Sequence, residues 1–132
     1  MADWDDVRRI AMALPAAAES VAGDGTVRWQ VKDKLLVWER PLRKADLAAL
    51  GDDAPDGPIL GARVADVGVK EALLAEDPAV YFTTPHFDGY PAVLVRLPEI
   101  AVAELAELVT EAWLDRAPKR LAKQYLEQFR QD

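Results

Sequence analysis

The sequence predicts one α+β domain spanning 1–132, with a central antiparallel sheet packed against N-terminal and C-terminal helices. Three observations predict it. Apolar residues recur at helical spacing over 3–14, strict alternation over 26–32 runs into a second short strand, and two helical stripes close the chain after residue 100. At 132 residues, 51% of them apolar, the chain is sized for a single core.

Over 3–14, Trp4, Val7, Ile10, Ala11 and Leu14 form one stripe. Asp3 stands where an N-cap belongs, Asp5 and Asp6 suit the positive end of the helix dipole, and Pro15 stops the helix. In the next segment Val27, Trp29 and Val31 share one face, and Arg28, Gln30 and Lys32 the other. Lys32-Asp33-Lys34 reads as the turn of a β-hairpin whose second strand covers 35–40. A two- or four-residue turn and a three-residue turn differ in whether Leu36 and Trp38 or Leu35 and Val37 face the core, and both remain open. A short helix follows over 44–50, a loop over 51–58 and a strand over 59–65. Asp66 caps a helix to Glu76 with Val69, Leu73 and Leu74 inward. A short strand over 80–82, a loop over 83–90 with Asp88-Gly89 as its turn, and a strand over 92–97 come next. Val102, Leu105, Val109 and Trp113 stripe the following helix. Pro118 opens the last one, which turns Leu121, Tyr125 and Phe129 inward and Lys119, Arg120 and Lys123 outward.

Composition removes several chemistries. There is no cysteine, so disulfides, thiolate nucleophiles and thiolate metal sites are excluded. The acidic start lacks the basic and apolar regions of a signal peptide, and no apolar run approaches the about 20 residues that span a bilayer. A cytoplasmic protein with no membrane partner is expected. His86 is the only histidine and Ser20 the only serine. They fall in different loops of this reading, and no nucleophile-elbow glycines flank Ser20, which reads as a turn hydroxyl. One histidine argues against a catalytic zinc site. Asp52, Asp53 and Asp56 lack EF-hand spacing, while Glu104, Glu107 and Glu111 read as a solvated helix face. No phosphate-cradling glycine loop or dinucleotide fingerprint is present. The expectation is a protein without catalytic residues, metal or cofactor.

Two constellations remain. The run 82–90 packs Thr83, Thr84, His86 and Tyr90 among aromatics, a candidate ligand-binding loop. The other is positive charge on an acidic chain of net charge −7. Residues 26–49 hold six Lys/Arg against three Asp/Glu, and residues 115–132 hold five against three, whereas 50–114 sum to −9. Arg28, Lys32 and Lys34 on the hairpin, and Lys119, Arg120 and Lys123 on the last helix, are candidate DNA contacts, because Lys and Arg on a wing-like hairpin displace phosphate counterions. Arg40, Arg43 and Lys44 continue the basic stretch, and lysines on a hairpin equally serve to block edge pairing.

The chain resembles the MmcQ/YjbR family of small bacterial proteins. The resemblance runs through Ala13-Leu14-Pro15, the 27–31 strand with Trp29, the run Phe-Thr-Thr-Pro-His-Phe-Asp-Gly-Tyr-Pro-Ala-Val-Leu-Val-Arg-Leu from Phe82 to Leu97, Glu111-Ala112-Trp113 and Ala117-Pro118-Lys119-Arg120-Leu121. It implies a frataxin-like (CyaY-like) α+β fold and DNA binding through a double-wing arrangement of strands. Carried onto this chain, the family pattern points at Trp29, His86, Trp113, Pro118, Lys119 and Arg120, with the two tryptophans in the core. The chain departs at the hairpin, where relatives often carry Gly-Lys and this one carries Asp33-Lys34. The frataxin likeness implies a rival use of Asp3, Asp5 and Asp6 for iron or protein contacts, set against their reading as a cap. The function expected is weak, backbone-directed DNA binding by a monomer. The alternative is a non-catalytic module that binds a protein or small ligand through the loop around His86.

Overall fold

The computed structural model describes residues 2–130, with side chains through Gln128. Helix α1 (Trp4–Met12) begins at a reciprocal cap. The Asp6 N–H donates to the Asp3 carboxylate at 3.0 Å, and the Asp3 N–H donates to the Asp6 carboxylate at 3.1 Å. Asp3 and Asp6 are thereby occupied as caps, and only Asp5 of the three points freely to solvent.

Six strands form one antiparallel sheet in the order β1-β2-β3-β4-β6-β5. Strand β1 (Ala17–Val21) escapes pattern reading, because Ala-Ala-Glu-Ser-Val has little alternation or β-propensity; pairing with β2 (Val27–Val31) makes it a strand. Ser20 therefore lies in a strand, not a turn, and its hydroxyl donates to Gln30 Oε1 at 3.2 Å. Lys32 and Asp33 connect β2 to β3 (Lys34–Glu39) with φ of 48° and 68°, the positive values of a two-residue type I′ turn.

A bulge then decides the register question. Gln30 faces Leu35 but Trp29 faces Val37, so Leu36 is the extra residue. Leu36 and Val37 are both fully buried, an outcome that simple alternation does not contain. Trp38, opposite Arg28, goes to the other face.

The remaining elements are α2 (Lys44–Leu50), β4 (Ile59–Arg63), α3 (Val67–Glu76), β5 (Tyr81–Phe82), β6 (Ala92–Arg96), α4 (Val102–Arg116) and α5 (Lys119–Arg130). One sheet face carries the main core. There α1 and α4 cover Trp29, Val31, Val37, Leu60, Val93 and Val95, and the indole N–H of Trp113 donates to the Pro15 carbonyl at 2.9 Å. Helix α5 lays Leu121, Ala122 and Tyr125 on the same side. The Phe129 side chain, read from sequence as inward, lies outside the described side chains.

The opposite face is only partly covered. Ile59, Phe82, Phe87, Ala92 and Leu94 form a second, smaller cluster capped by Trp38, Leu42 and Leu50. Helix α3 starts as expected, with Asp66 accepting from the Val69 N–H at 2.9 Å. Leu73 and Leu74 pack half-buried against the main core as read, but Val69 is 40% exposed and Lys70, at 4%, is the residue of the helix that is buried. The ammonium donates to the carbonyls of Phe87 and, at 3.0 Å, Tyr90. This part of the helix meets backbone oxygens of the 83–90 loop, which a lysine satisfies and a valine cannot.

Candidate functional site

The uncovered part of the second sheet face is a hollow of about 520 Å³ between the β2–β3 hairpin, the segment after β3 and the 83–90 loop. Its floor comes from register. Arg28 pairs with Trp38, and alternation sends both away from the main core. Trp38 spreads over Gly61 of β4, and Phe87 tilts against it at 6.3 Å between ring centroids. A 3-10 turn over Pro85–Phe87 inserts Phe87 and leaves His86 at the rim, edge-on to the Phe87 ring at 4.9 Å. Tyr90 stands beside it, its hydroxyl accepting from Arg63 at 2.7 Å while the Arg63 guanidinium lies 4.8 Å from the ring centroid.

Charges around the hollow are unequally engaged. The Asp24 carboxylate accepts from the Thr26 hydroxyl at 2.6 Å and the Thr26 N–H at 3.0 Å, which together hold its pKa below the ordinary aspartate value. Glu39 accepts from the Val27 N–H at 2.7 Å. Asp88 sits in the field of Lys70. Arg40 is buried, stacks on Phe87 and pairs with buried Asp46 at 3.0 Å. By itself burial would raise the Asp46 pKa, but the Arg43 N–H and the Arg40 charge outweigh it and hold the carboxyl below its usual range. Arg28 and Arg43 are exposed, line the hollow and form no ion pair among the described residues. The hollow therefore offers two guanidiniums without ion-pair contact and one imidazole, set among the carboxylates of Asp24, Glu39 and Asp88, with the Arg28 charge also helping to lower the Asp24 pKa.

The structure thus joins two constellations that are far apart in the chain: Arg28 from the hairpin and His86 and Tyr90 from the loop line the same hollow. Thr83 and Thr84 do not line it. Thr83 is half-buried, and Thr84 is buried beside the Asp46 carboxyl. Lys32 and Lys34 are exposed at the hairpin tip. Lys119, Arg120 and Lys123 are exposed on α5, on the helix-covered side of the sheet, away from Arg28. Sequence reading missed Trp38, whose side depends on the bulge. It noted Arg43 as basic but not as a site residue; the separating signal is the acidic Asp46, which draws in Arg40 and leaves Arg43 out. Among the described residues no group of three or more His, Asp or Glu is arranged to hold a metal ion, and no helix is long and apolar enough to cross a membrane.

No family model matches the chain. Its architecture is that of an α+β domain seen in a solved structure, the Deinococcus radiodurans protein DR2400, a DUF419 domain. The two match at a TM-score of 0.65 with 22% identity over 86% of this chain and 78% of that one. The chain is also 60% identical over 129 residues to the uncharacterised proteins Rv2570 of Mycobacterium tuberculosis and Mb2600 of Mycobacterium bovis, covering 96% of this chain and 97% of each relative. It belongs to the family of these mycobacterial proteins.

Proposed function

We propose that the protein is a non-catalytic binding module for a small anionic ligand with a planar portion, a nucleotide-like chemistry, seated in the hollow on the open sheet face. The observation that carries this reading is that Arg28 and Arg43, neither in an ion pair among the described residues, line one hollow with His86 over Trp38, Phe87 and Tyr90. Guanidinium groups recognise phosphate and carboxylate through paired donors, and aromatic faces accept a planar ring. Nucleoside monophosphates and inorganic phosphate are the probes. In a 15N-labelled sample, shifts should concentrate at Arg28, Arg43 and 83–90, and Arg28→Ala/Arg43→Ala should weaken binding at least about tenfold, the loss of one charge-assisted hydrogen bond. Absence of localised shifts with millimolar nucleotide, or equal binding by the double variant, defeats the reading.

Weak, backbone-directed DNA binding is a second reading. It is supported by the resemblance to the MmcQ/YjbR family, to which this reading assigns the chain, and by Arg28, Lys32 and Lys34 sharing one hairpin. Because Lys119, Arg120 and Lys123 stand on the other side of the sheet, a straight duplex would meet one cluster at a time. Salt dependence separates the cases. Three phosphate contacts give a log–log slope of about −2.7, and all six about −5.4. Lys32→Glu/Lys34→Glu and Lys119→Glu/Arg120→Glu should then differ in effect. Salt-insensitive binding, or binding that neither pair of substitutions changes, rules out backbone-directed contact through these residues.

A further inference from the structure

A second hollow, of about 560 Å³, runs between α3 and α4. Its lining is apolar at Val69, Leu73 and Leu108, includes the cation Arg63, and carries at its rim Glu76, Glu107 and Glu111. None of those three forms an ion pair among the described residues. Glu104 is the exception in being engaged, since it takes the hydroxyl of buried Tyr81. Burial and that carboxylate push the Tyr81 pKa well above its ordinary value, so the phenol stays neutral and adds no charge of its own. Of the −9 carried by residues 50–114, the four glutamates that line the groove, less Arg63, supply −3, and Val69 is left 40% exposed.

Immediately beside this groove lies a helical surface that carries two lysines. Leu114 and Asp115 line both the groove and a smaller hollow along α5, where Lys119, Lys123 and the 44% exposed Leu126 present one helical face at i, i+4 and i+7, with Glu127 at its margin. Neither lysine has an ion-pair partner among the described residues. The two ridges also match in length. Glu104 to Glu111 and Lys119 to Leu126 each span seven residues, about 10.5 Å of helix. Adjacent acidic and basic patches that share an apolar seam are self-complementary under a two-fold rotation, which brings acid onto base twice.

We propose that this surface is a self-association site, in which the basic face of α5 from a second copy lies in the acid-rimmed α3–α4 groove and the arrangement is reciprocated, with the axis near Leu114. The charges fit, the exposed Val69 and Leu126 are covered, and closure under two-fold symmetry stops assembly at a dimer.

Sedimentation equilibrium from about 10 μM to 1 mM protein covers the affinity range of a modest interface. Running it at about 0.05 and 0.5 M salt brackets strong screening. The wild type should approach twice the monomer mass at low salt and dissociate at high salt. Glu107→Lys/Glu111→Lys and Lys119→Glu/Lys123→Glu should each weaken the dimer at least tenfold, because each opposes like charges twice. An equimolar mixture of the two variants should recover the dimer, since the mixed pair restores both contacts. Where a variant does not fold, a dilution series of 15N-labelled wild type decides, with concentration-dependent shifts expected on α3, α4 and α5 together. A wild type monomeric throughout, a mixture no better than its components, or shifts elsewhere overturns the proposal. So does a groove that takes an oligolysine peptide while the chain itself remains monomeric.

Discussion

Trp38 lies flat across Gly61 of the neighbouring strand, so closely that a Cβ on residue 61 would stand 2.3 Å from Trp38 Cε2. The glycine is the reason the indole can form the floor of the hollow instead of standing up from the sheet. Gly61→Ala should therefore lower stability by about 1–3 kcal/mol through overpacking. It should also change the near-ultraviolet circular dichroism as the indole is lifted. Urea denaturation reads the first effect. Unchanged stability and spectra would show that the ring is free to move.

Lys70 ties the 83–90 loop to α3 through the carbonyls of Phe87 and Tyr90. In Lys70→Met the apolar stem is kept and the donors are lost, leaving two inward carbonyls at about 1–3 kcal/mol each. Hydrogen exchange over 84–90 should accelerate before global unfolding. Burial first, opposed by the Asp88 charge, lowers the Lys70 pKa from 10.5. In the window just below 10.5 the unfolded chain holds the extra proton, so wild-type stability relative to Lys70→Met should rise as pH rises through that window. A flat difference would place the ammonium in water.

The Arg40–Asp46 pair is buried on both sides, at 5% and 3% exposure, which distinguishes it from the exposed pairs of Arg8 and Arg9. Asp46→Asn strands a buried guanidinium and should cost about 3–5 kcal/mol. The Asp46 pKa is held below 3.8, so its contribution is complete above that value and fades as pH falls through the lower folded one. Acid titration of stability should show this step in the wild type and not in Asp46→Asn.

At the hairpin tip, Asp33 occupies φ 68°, a conformation that suits glycine. Asp33→Gly should stabilise the protein by about 0.5–1 kcal/mol where relief of the left-handed strain exceeds the added freedom of the unfolded chain. It also removes a negative charge between Lys32 and Lys34. If the hairpin contacts phosphates, duplex affinity at low salt should rise with stability; a rise in stability alone would separate the turn from any nucleic-acid role.

What was readable from the sequence was whatever is decided within a few residues. The Asp3 cap of α1, the alternation of β2, a turn within Lys32–Lys34, the Asp66 cap of α3 and the Val102–Trp113 stripe of α4 are local relations and stand where the sequence puts them, though the turn's length, two residues with Lys34 already in β3, was not readable. The same holds for naming His86, Tyr90 and Arg28 as polar residues in special settings. Strand β1 was not legible, because its pairing with β2 and not its own residues makes it extended. Nor was the bulge at Leu36, which sends two consecutive residues to the core and thereby fixes the side on which Trp38 lies.

The candidate site belongs to this second category. Arg28 and His86 line one hollow because the bulged hairpin and the Lys70-anchored loop converge on one sheet face, whereas Lys119 and Arg120 ride on α5 on the other side. Chain pattern determined the elements other than β1 and most of their polar faces, since helix and strand periodicity are properties of neighbouring residues. Only tertiary packing decided which of those faces meet, since that depends on register and crossing, to which residues distant in the chain contribute equally.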